Sequence, residues 1–252
     1  MSGGSERRQL SQTMKAQLAL RELVIRGELK PGERVSELQM VDRLGLSRSP
    51  LRIALVRLEE EGLLEAIPSG GFAVRTFSER EVKEAIEIRG TLEGLAVRLA
   101  AEHGVPRAKL AAAEKVVDAI DEVIGTGPGG FDMARYIALN RRFHDMLIAL
   151  AGNASLERQL ERVNALPFAS PSAMVEVQAH LPASHHIFTI AQDQHRSVLQ
   201  AIARREGARA EAIMREHARI ALRNLEHALE SQGSLSHVPG SALIRRRTGN
   251  AG

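Results

Sequence analysis

Four polar side chains fall where the surrounding pattern calls for apolar ones. Asn140 and His144 are four residues apart, hence on one helix face, and they adjoin Leu139, Phe143 and Leu147. His195 neighbours Val198 and Leu199 in a later apolar stripe, and His217 neighbours Ile213, Met214 and Ile220 in the last one. Desolvating several imidazoles together is unfavourable unless hydrogen bonds or a cation satisfy them, and the neutral ring nitrogen is a good ligand for zinc, nickel, iron or manganese ions. Spacing alone leaves two readings open. Either these residues hold a divalent metal, or they are separate hydrogen-bonded core residues on helices that need not meet. The other six histidines fall at helix ends or in loops and read as solvated, and the absence of cysteine removes thiolate chemistry and disulfides.

A second constellation lies near the start. Arg48 and Arg52 flank a stripe of Leu51, Ala54, Leu55 and Leu58, whose spacing must face a core. Ser47 or Ser49 can cap this helix, and Pro50 fits its first turn, where a missing N–H is harmless. Two forked guanidiniums at the N-terminal end of a helix can bond guanine O6 and N7 in a major groove, or phosphates beside it.

The elements that position these arginines can be read from punctuation. Leu18, Leu23 and Ile25 belong to a first helix that Gly27 and Pro31-Gly32 end; a second helix covers about Ser36 to Leu44, and Gly45 makes the turn into the third. Gly62 closes that third helix. Leu63 to Ile67 and Phe72 to Val74 then read as two strands joined by the tip Pro68-Ser69-Gly70-Gly71, a wing. An ordinary small helical subdomain with solvated arginines is the competing reading.

In this order the residues resemble the winged-helix domain of GntR-type bacterial transcription regulators, over about Leu18 to Arg75. The resemblance rests on Gly27-x-Leu29-x-Pro31-Gly32, on Ser47-Arg48-Ser49-Pro50-Leu51-Arg52 with Ala54-Leu55, and on Glu61-Gly62-Leu63. It implies that Arg48 and Arg52 contact operator DNA, that Ser47 and Ser49 touch phosphates, and that Gly70 and Gly71 approach the minor groove. The family usually carries Glu after the second arginine, whereas this chain has Ile53.

The second half is helical throughout. Ser78-x-x-Glu81 is a capping box, followed by an apolar stripe from Val82 to Leu99 that Gly104 and Pro106 stop. Further helices are expected over about 107–124, 131–151, 155–165, 184–205 and 208–230, with a proline-marked stretch at Pro167, Pro171 and Pro182. The expected organisation is therefore a disordered start at 1–9, a winged helix-turn-helix at 10–77, an all-helical antiparallel bundle at 78–230 and a disordered tail at 231–252. That makes a mostly α fold.

Bulk properties narrow the class of protein. No apolar run approaches the roughly 20 residues that span a bilayer, and the first residues lack a signal-peptide core, so a cytoplasmic protein without membrane contact is expected. The formal charge of +3 is matched by Arg245, Arg246 and Arg247 alone, so net charge is weak evidence for nucleic acid and the argument rests on placed arginines. With 3% aromatic residues, the core must be aliphatic.

From about Glu79 to Leu229 the chain looks like the FCD effector domain of the FadR-like branch of the same regulators. The supporting motifs are Ile88-Arg89-x-x-Leu92-Glu93, Asn140-x-x-x-His144 leading to Ala151-Gly152-Asn153, Gln194-His195-Arg196 and Arg215-Glu216-His217. The resemblance implies that Asn140, His144, His195 and His217 hold a divalent metal, commonly Zn2+ with Ni2+ or Mn2+ as alternatives, and that Arg89 pairs with a small organic carboxylate, an aromatic one included. Six expected helices point to the VanR-like subgroup. The implied function is a homodimeric, ligand-responsive regulator, most often a repressor, on a palindromic operator. The rival from another class is a metal-dependent hydrolase or isomerase with Glu216 or Asp145 as base, and a third reading makes the metal purely structural.

Overall fold

The computed structural model describes residues 3–125, 127, 130–179, 184–230 and 234–245. Two compact units emerge, one built from the residues up to Val82 with Ala165–Pro167 and the segment from Pro239, the other from Lys83–Asn164 and Phe168–Val238.

The first unit opens with helix α1 (Gly3–Ile25), then strand β1 (Arg34–Val35), helices α2 (Glu37–Leu44) and α3 (Arg48–Glu60), and strands β2 (Leu64–Ala66), β3 (Phe72–Val74) and β4 (Phe77–Ser78). Ala16, Leu20 and Val24 of α1 are fully buried, as are Leu51, Ala54, Leu55 and Leu58 of α3, and the two helices pack on each other. The stripe expected on α3 is thus the core face. Ser36 caps α2 by accepting from the Gln39 amide, and Gly45 ends it at φ 63, a left-handed conformation that glycine adopts without penalty. β3 lies between β1 and β2 in an antiparallel sheet, with Leu64 opposite Val74 and Ala66 opposite Phe72.

Both chain ends depart from expectation. Residues 1–9 were expected to be disordered, yet α1 begins at Gly3. Glu, Arg, Gln and Leu there are good helix formers, and extending a helix already anchored at Ala16 and Leu20 needs no new nucleus. Within 231–252, also expected to be disordered, residues 234–245 hold structure. Ser234–His237 and Ser241–Leu243 are short 3-10 turns, and β5 (Ile244–Arg245) pairs in parallel with β4. Leu243 and Ile244 are buried in the first unit and Leu235 and Val238 in the second, so irregularly spaced apolar residues find cover without any helical period. Arg246 and Arg247, with His180 and Pro182, lie outside the described residues.

Helices α4 (Glu79–His103), α5 (Arg107–Gly125), α6 (Met133–Leu150), α7 (Ala154–Asn164), α8 (Val175–Ala179), α9 (Ser184–Ala203) and α10 (Gly207–Glu230) follow. The capping box forms as expected, Glu81 accepting from the Ser78 amide and the Ser78 hydroxyl accepting from the Glu81 amide. In the second unit α5 packs on α6 and α9, and α9 on α10, around a mainly aliphatic core of Val117, Ile120, Leu147, Val198 and Met214 into which Tyr136, Phe143 and Phe188 are also packed. Gly90 lets α4 and α10 approach closely, because a Cβ there would stand 2.4 Å from the Ala218 Cβ. The count of six helices is corrected by α8, a five-residue turn inside the proline-marked stretch and too short to register as a period.

Candidate metal centre and nucleic-acid interface

His144 projects from α6, His195 from α9 and His217 from α10, and the structure brings all three together. Their ring centroids are 5.6, 5.3 and 4.6 Å apart, and one ligand nitrogen of each lies within 4.8 Å of the others. His144 and His195 are buried and His217 is half-buried.

The outward-facing nitrogens fix the chemistry of the inward ones. His144 Nδ1 lies 3.0 Å from Glu93 Oε1, His195 Nδ1 3.1 Å from Gln192 Oε1, and His217 Nδ1 3.1 Å from Gln194 Oε1. All three partners are acceptor oxygens, so each Nδ1 donates and each neutral ring keeps its lone pair on Nε2. Nε2 of His195 and Nε2 of His217 then face each other across 3.2 Å, and His144 Nε2 is buried with no partner. Lone pairs facing one another repel unless a cation lies among them. Nitrogens held about 2.0–2.1 Å from a tetrahedral zinc are themselves roughly 3.4 Å apart, so the residues present fit such an ion.

Electrostatics agree. Burial, then the neighbouring imidazoles, pushes His195 well below its ordinary value; burial and the His144 ring bring His217 down to about 3. Both rings are therefore neutral, as ligands must be. Burial alone would raise the Glu93 carboxyl, but His144 and the Arg89 guanidinium outweigh it and hold it at about 2. Arg89 Nε is 3.9 Å from Glu93 Oε2, both side chains are 3% exposed, and burial lowers the Arg89 value against the opposing pull of Glu93.

Arg89, Asn140 and His217 line one small cavity of about 30 Å³ with Tyr136, Gln178 and Asn224. Asn140 Nδ2 donates to Ser172 Oγ at 3.2 Å, which seats the amide on the cavity wall. The sequence reading placed Glu93 and Gln194 in motifs but gave them no role, and it passed over Gln192. Glu93 carried a signal, its place one turn after Arg89 on the same face, but a helical glutamate ordinarily reads as solvated. Glu216 and Asp145, the bases that a hydrolase would need, lie at the surface beside Arg219 and Arg141 respectively.

In the first unit, Arg48 and Arg52 stand exposed on α3, and neither has an ion-pair partner among the described residues. Ser47 is the N-cap, but its hydroxyl makes no capping bond and Ser49 beside it is exposed. Ile53 and Val56 continue the same face at 39% and 41% exposure. Gly70 and Gly71 form the tip between β2 and β3 at φ 85 and 94, and Arg34, unremarked in the sequence, donates to the Gly70 carbonyl at 2.9 Å. The arrangement is an unpaired cationic helix end beside a glycine tip. Such a surface suits a phosphate backbone and groove edges. Among the described residues no helix is long and apolar enough to cross a membrane.

Comparison with known proteins gives this geometry a family. Residues 12–74 match the gntR family of bacterial regulatory proteins, and residues 84–219 match the FCD domain. A probable D-xylose utilization operon transcriptional repressor of Paenarthrobacter nicotinovorans is 30% identical over 77% of this chain and 80% of its own length. The uncharacterized HTH-type regulator YdhC of Bacillus subtilis is 35% identical over 58% of this chain, an alignment that spans 64% of that relative. The solved structure of Escherichia coli McbR/YncC superposes with a TM-score of 0.61 at 23% identity, over 86% of this chain and 97% of the other, which speaks for the fold. On these grounds the chain belongs to the GntR family of bacterial regulatory proteins, in its branch that carries an FCD domain.

Proposed function

We propose that this chain is a ligand-responsive repressor of transcription, binding a palindromic operator as a homodimer and sensing a small organic acid beside a divalent metal in the helical unit. The observation that carries the reading is the convergence of three Nε2 lone pairs whose Nδ1 atoms are already tied to acceptors. A divalent cation satisfies all three at once. Zn2+ is the favoured ion, since three histidines leave a tetrahedral position for a further ligand, with Asn140 at the cavity wall as its fourth protein partner. A bound metal supplies positive charge that draws a carboxylate into the site. Arg89 supplies the second anchor, Glu93 keeps that guanidinium and the His144 ring in place, and Tyr136 and Met174 complete the pocket wall.

The DNA half of the proposal assigns base contact to Arg48 and Arg52, phosphate contact to Ser47 and Ser49, and the minor-groove approach to Gly70 and Gly71. A relative described as an operon repressor supports repression. Reciprocal coupling follows from thermodynamics: an acid that binds two arrangements of the protein unequally shifts operator affinity by that same difference. The VanR-like subgroup is not carried forward, because its support was a count of six helices.

Two measurements test the proposal. Binding of the full-length protein to the DNA flanking its own gene, read by anisotropy, should fall at least about tenfold for Arg48→Ala and for Arg52→Ala, the size of one lost bidentate contact. Metal analysis of the purified protein should find a divalent ion that His144→Ala removes. Operator binding that survives both arginine changes sinks the interface assignment, and a metal content insensitive to His144→Ala sinks the centre.

A further inference from the structure

We infer that Ile53 and Val56 are base-reading residues of α3, which seat the C5-methyl group of an operator thymine beside the guanine that Arg52 contacts. The inference rests on the operator reading above and adds to it the apolar half of the recognition surface.

Three observations carry it. The buried stripe of Leu51, Ala54, Leu55 and Leu58 fixes which face of α3 turns outward, and that outer face holds Arg48, Ser49, Arg52, Ile53 and Val56. Val56 stands three residues after Ile53 and four after Arg52, so the three side chains are neighbours on one helical surface. A single exposed aliphatic side chain is ordinary, but two side by side, next to both unpaired guanidiniums, make a pattern. The second observation is that stability does not ask for this face. β-Branched residues lose χ1 freedom in a helix and recover little of it at 39% and 41% exposure, and Arg48 in the first turn opposes the helix dipole. The third is charge. No acidic residue occurs in α3 before Glu59, so its outer face is cationic and apolar over the turns that carry both arginines, as suits a polyanion with apolar groups in its groove.

The distinctive apolar group of the major groove is the C5-methyl of thymine, and aliphatic side chains contact it while arginine forks take guanine O6 and N7. The two kinds of side chain on α3 therefore divide the base edges between them. Residues one helical turn apart are separated by about 5.4 Å along the axis and base pairs by about 3.4 Å, so the thymine belongs within about two base pairs of the guanine. The glutamate usual at this place in similar regulators offers a methyl group nothing, so the preference belongs to this chain and its Ile53.

Selection from a random duplex library with the full-length protein supplies the probe. Each thymine of the selected half-site is then replaced by deoxyuridine, which pairs identically and lacks only the methyl. At a thymine close to an invariant guanine, replacement should weaken binding of the parent protein about fourfold, the transfer value of one buried carbon, read by anisotropy. The double variant Ile53→Ala, Val56→Ala keeps the helix, alanine being its best former, and should bind the thymine and uracil duplexes equally. Each single variant makes the same comparison where the double variant binds too weakly to measure. Binding that depends on Arg48 and Arg52 but ignores every thymine methyl, or a methyl response that survives in the alanine variants, overturns this inference and leaves the operator reading standing. Enrichment of no duplex, or selected binding that survives Arg48→Ala and Arg52→Ala, overturns both.

Discussion

Glu93 decides how well the imidazole cluster can work. Its carboxylate accepts from His144 Nδ1 at 3.0 Å while standing 3.9 Å from the Arg89 guanidinium, so one buried anion orients a ligand and balances a cation. Acceptors behind metal-bound histidines set the tautomer and raise the basicity of the ligating nitrogen. Glu93→Gln keeps the shape, and an amide oxygen can still accept from Nδ1, but the charge is gone and Arg89 is left without its counter-ion. Metal affinity should therefore fall by about 10- to 100-fold, read by competition with a chromogenic chelator, and unchanged affinity would remove Glu93 from the centre. The histidines were legible in the sequence because an imidazole inside an apolar stripe contradicts its neighbours. Glu93, Gln192 and Gln194 were not, since polar residues on a helix contradict nothing until the fold shows which faces are covered. The same blindness hid Gln178 and Asn224.

Helix pairing sets the distances between those residues. Arg89 and Glu93 come from α4 and His217 from α10, and Gly90 and Gly94 are where the two helices close on each other. A Cβ at Gly90 would lie 2.4 Å from the Ala218 Cβ, and one at Gly94 would lie 2.9 Å from Arg215 Cγ. The first contact is with a rigid side chain, so the helices themselves must separate; the second is with a flexible one that can yield. Gly90→Ala should accordingly destabilise the helical unit by about 1–3 kcal/mol, the usual effect of overpacking, despite alanine's better helix propensity. Gly94→Ala should be milder. Thermal unfolding of the two variants checks the order, and a Gly90→Ala protein as stable as the parent would mean the helices do not meet this closely. Elements with a strong period, such as α5, α9 and α10, were readable to within two residues. Missed were the pieces too short to show one: α8, with five residues, and β5, whose Ile244 pairs with Phe77 from the far end of the chain. Pairing between distant segments leaves no local mark.

For the chain as a whole, the cluster predicts how stability follows pH. His195 and His217 are held neutral in the fold, the latter down at about 3 against an ordinary 6.5, whereas both take up protons near 6.5 once unfolded. Over the window between those values the unfolded chain binds more protons, so the stability of the helical unit must decline as pH falls below about 6.5, by up to about 1.4 kcal/mol per pH unit for each ring. Glu93, held at about 2 against 4.5, adds loss of the same sign at lower pH. Metal binding sharpens this dependence, because the ion competes with protons for the same three nitrogens and stabilises only the folded state, by about 2.7 kcal/mol at a free concentration one hundred times its dissociation constant. Removing metal with a chelator should then lower the melting temperature clearly at pH 8 and progressively less toward pH 5. A chelator effect of equal size across that range would mean that the stabilising ion sits somewhere other than among these imidazoles.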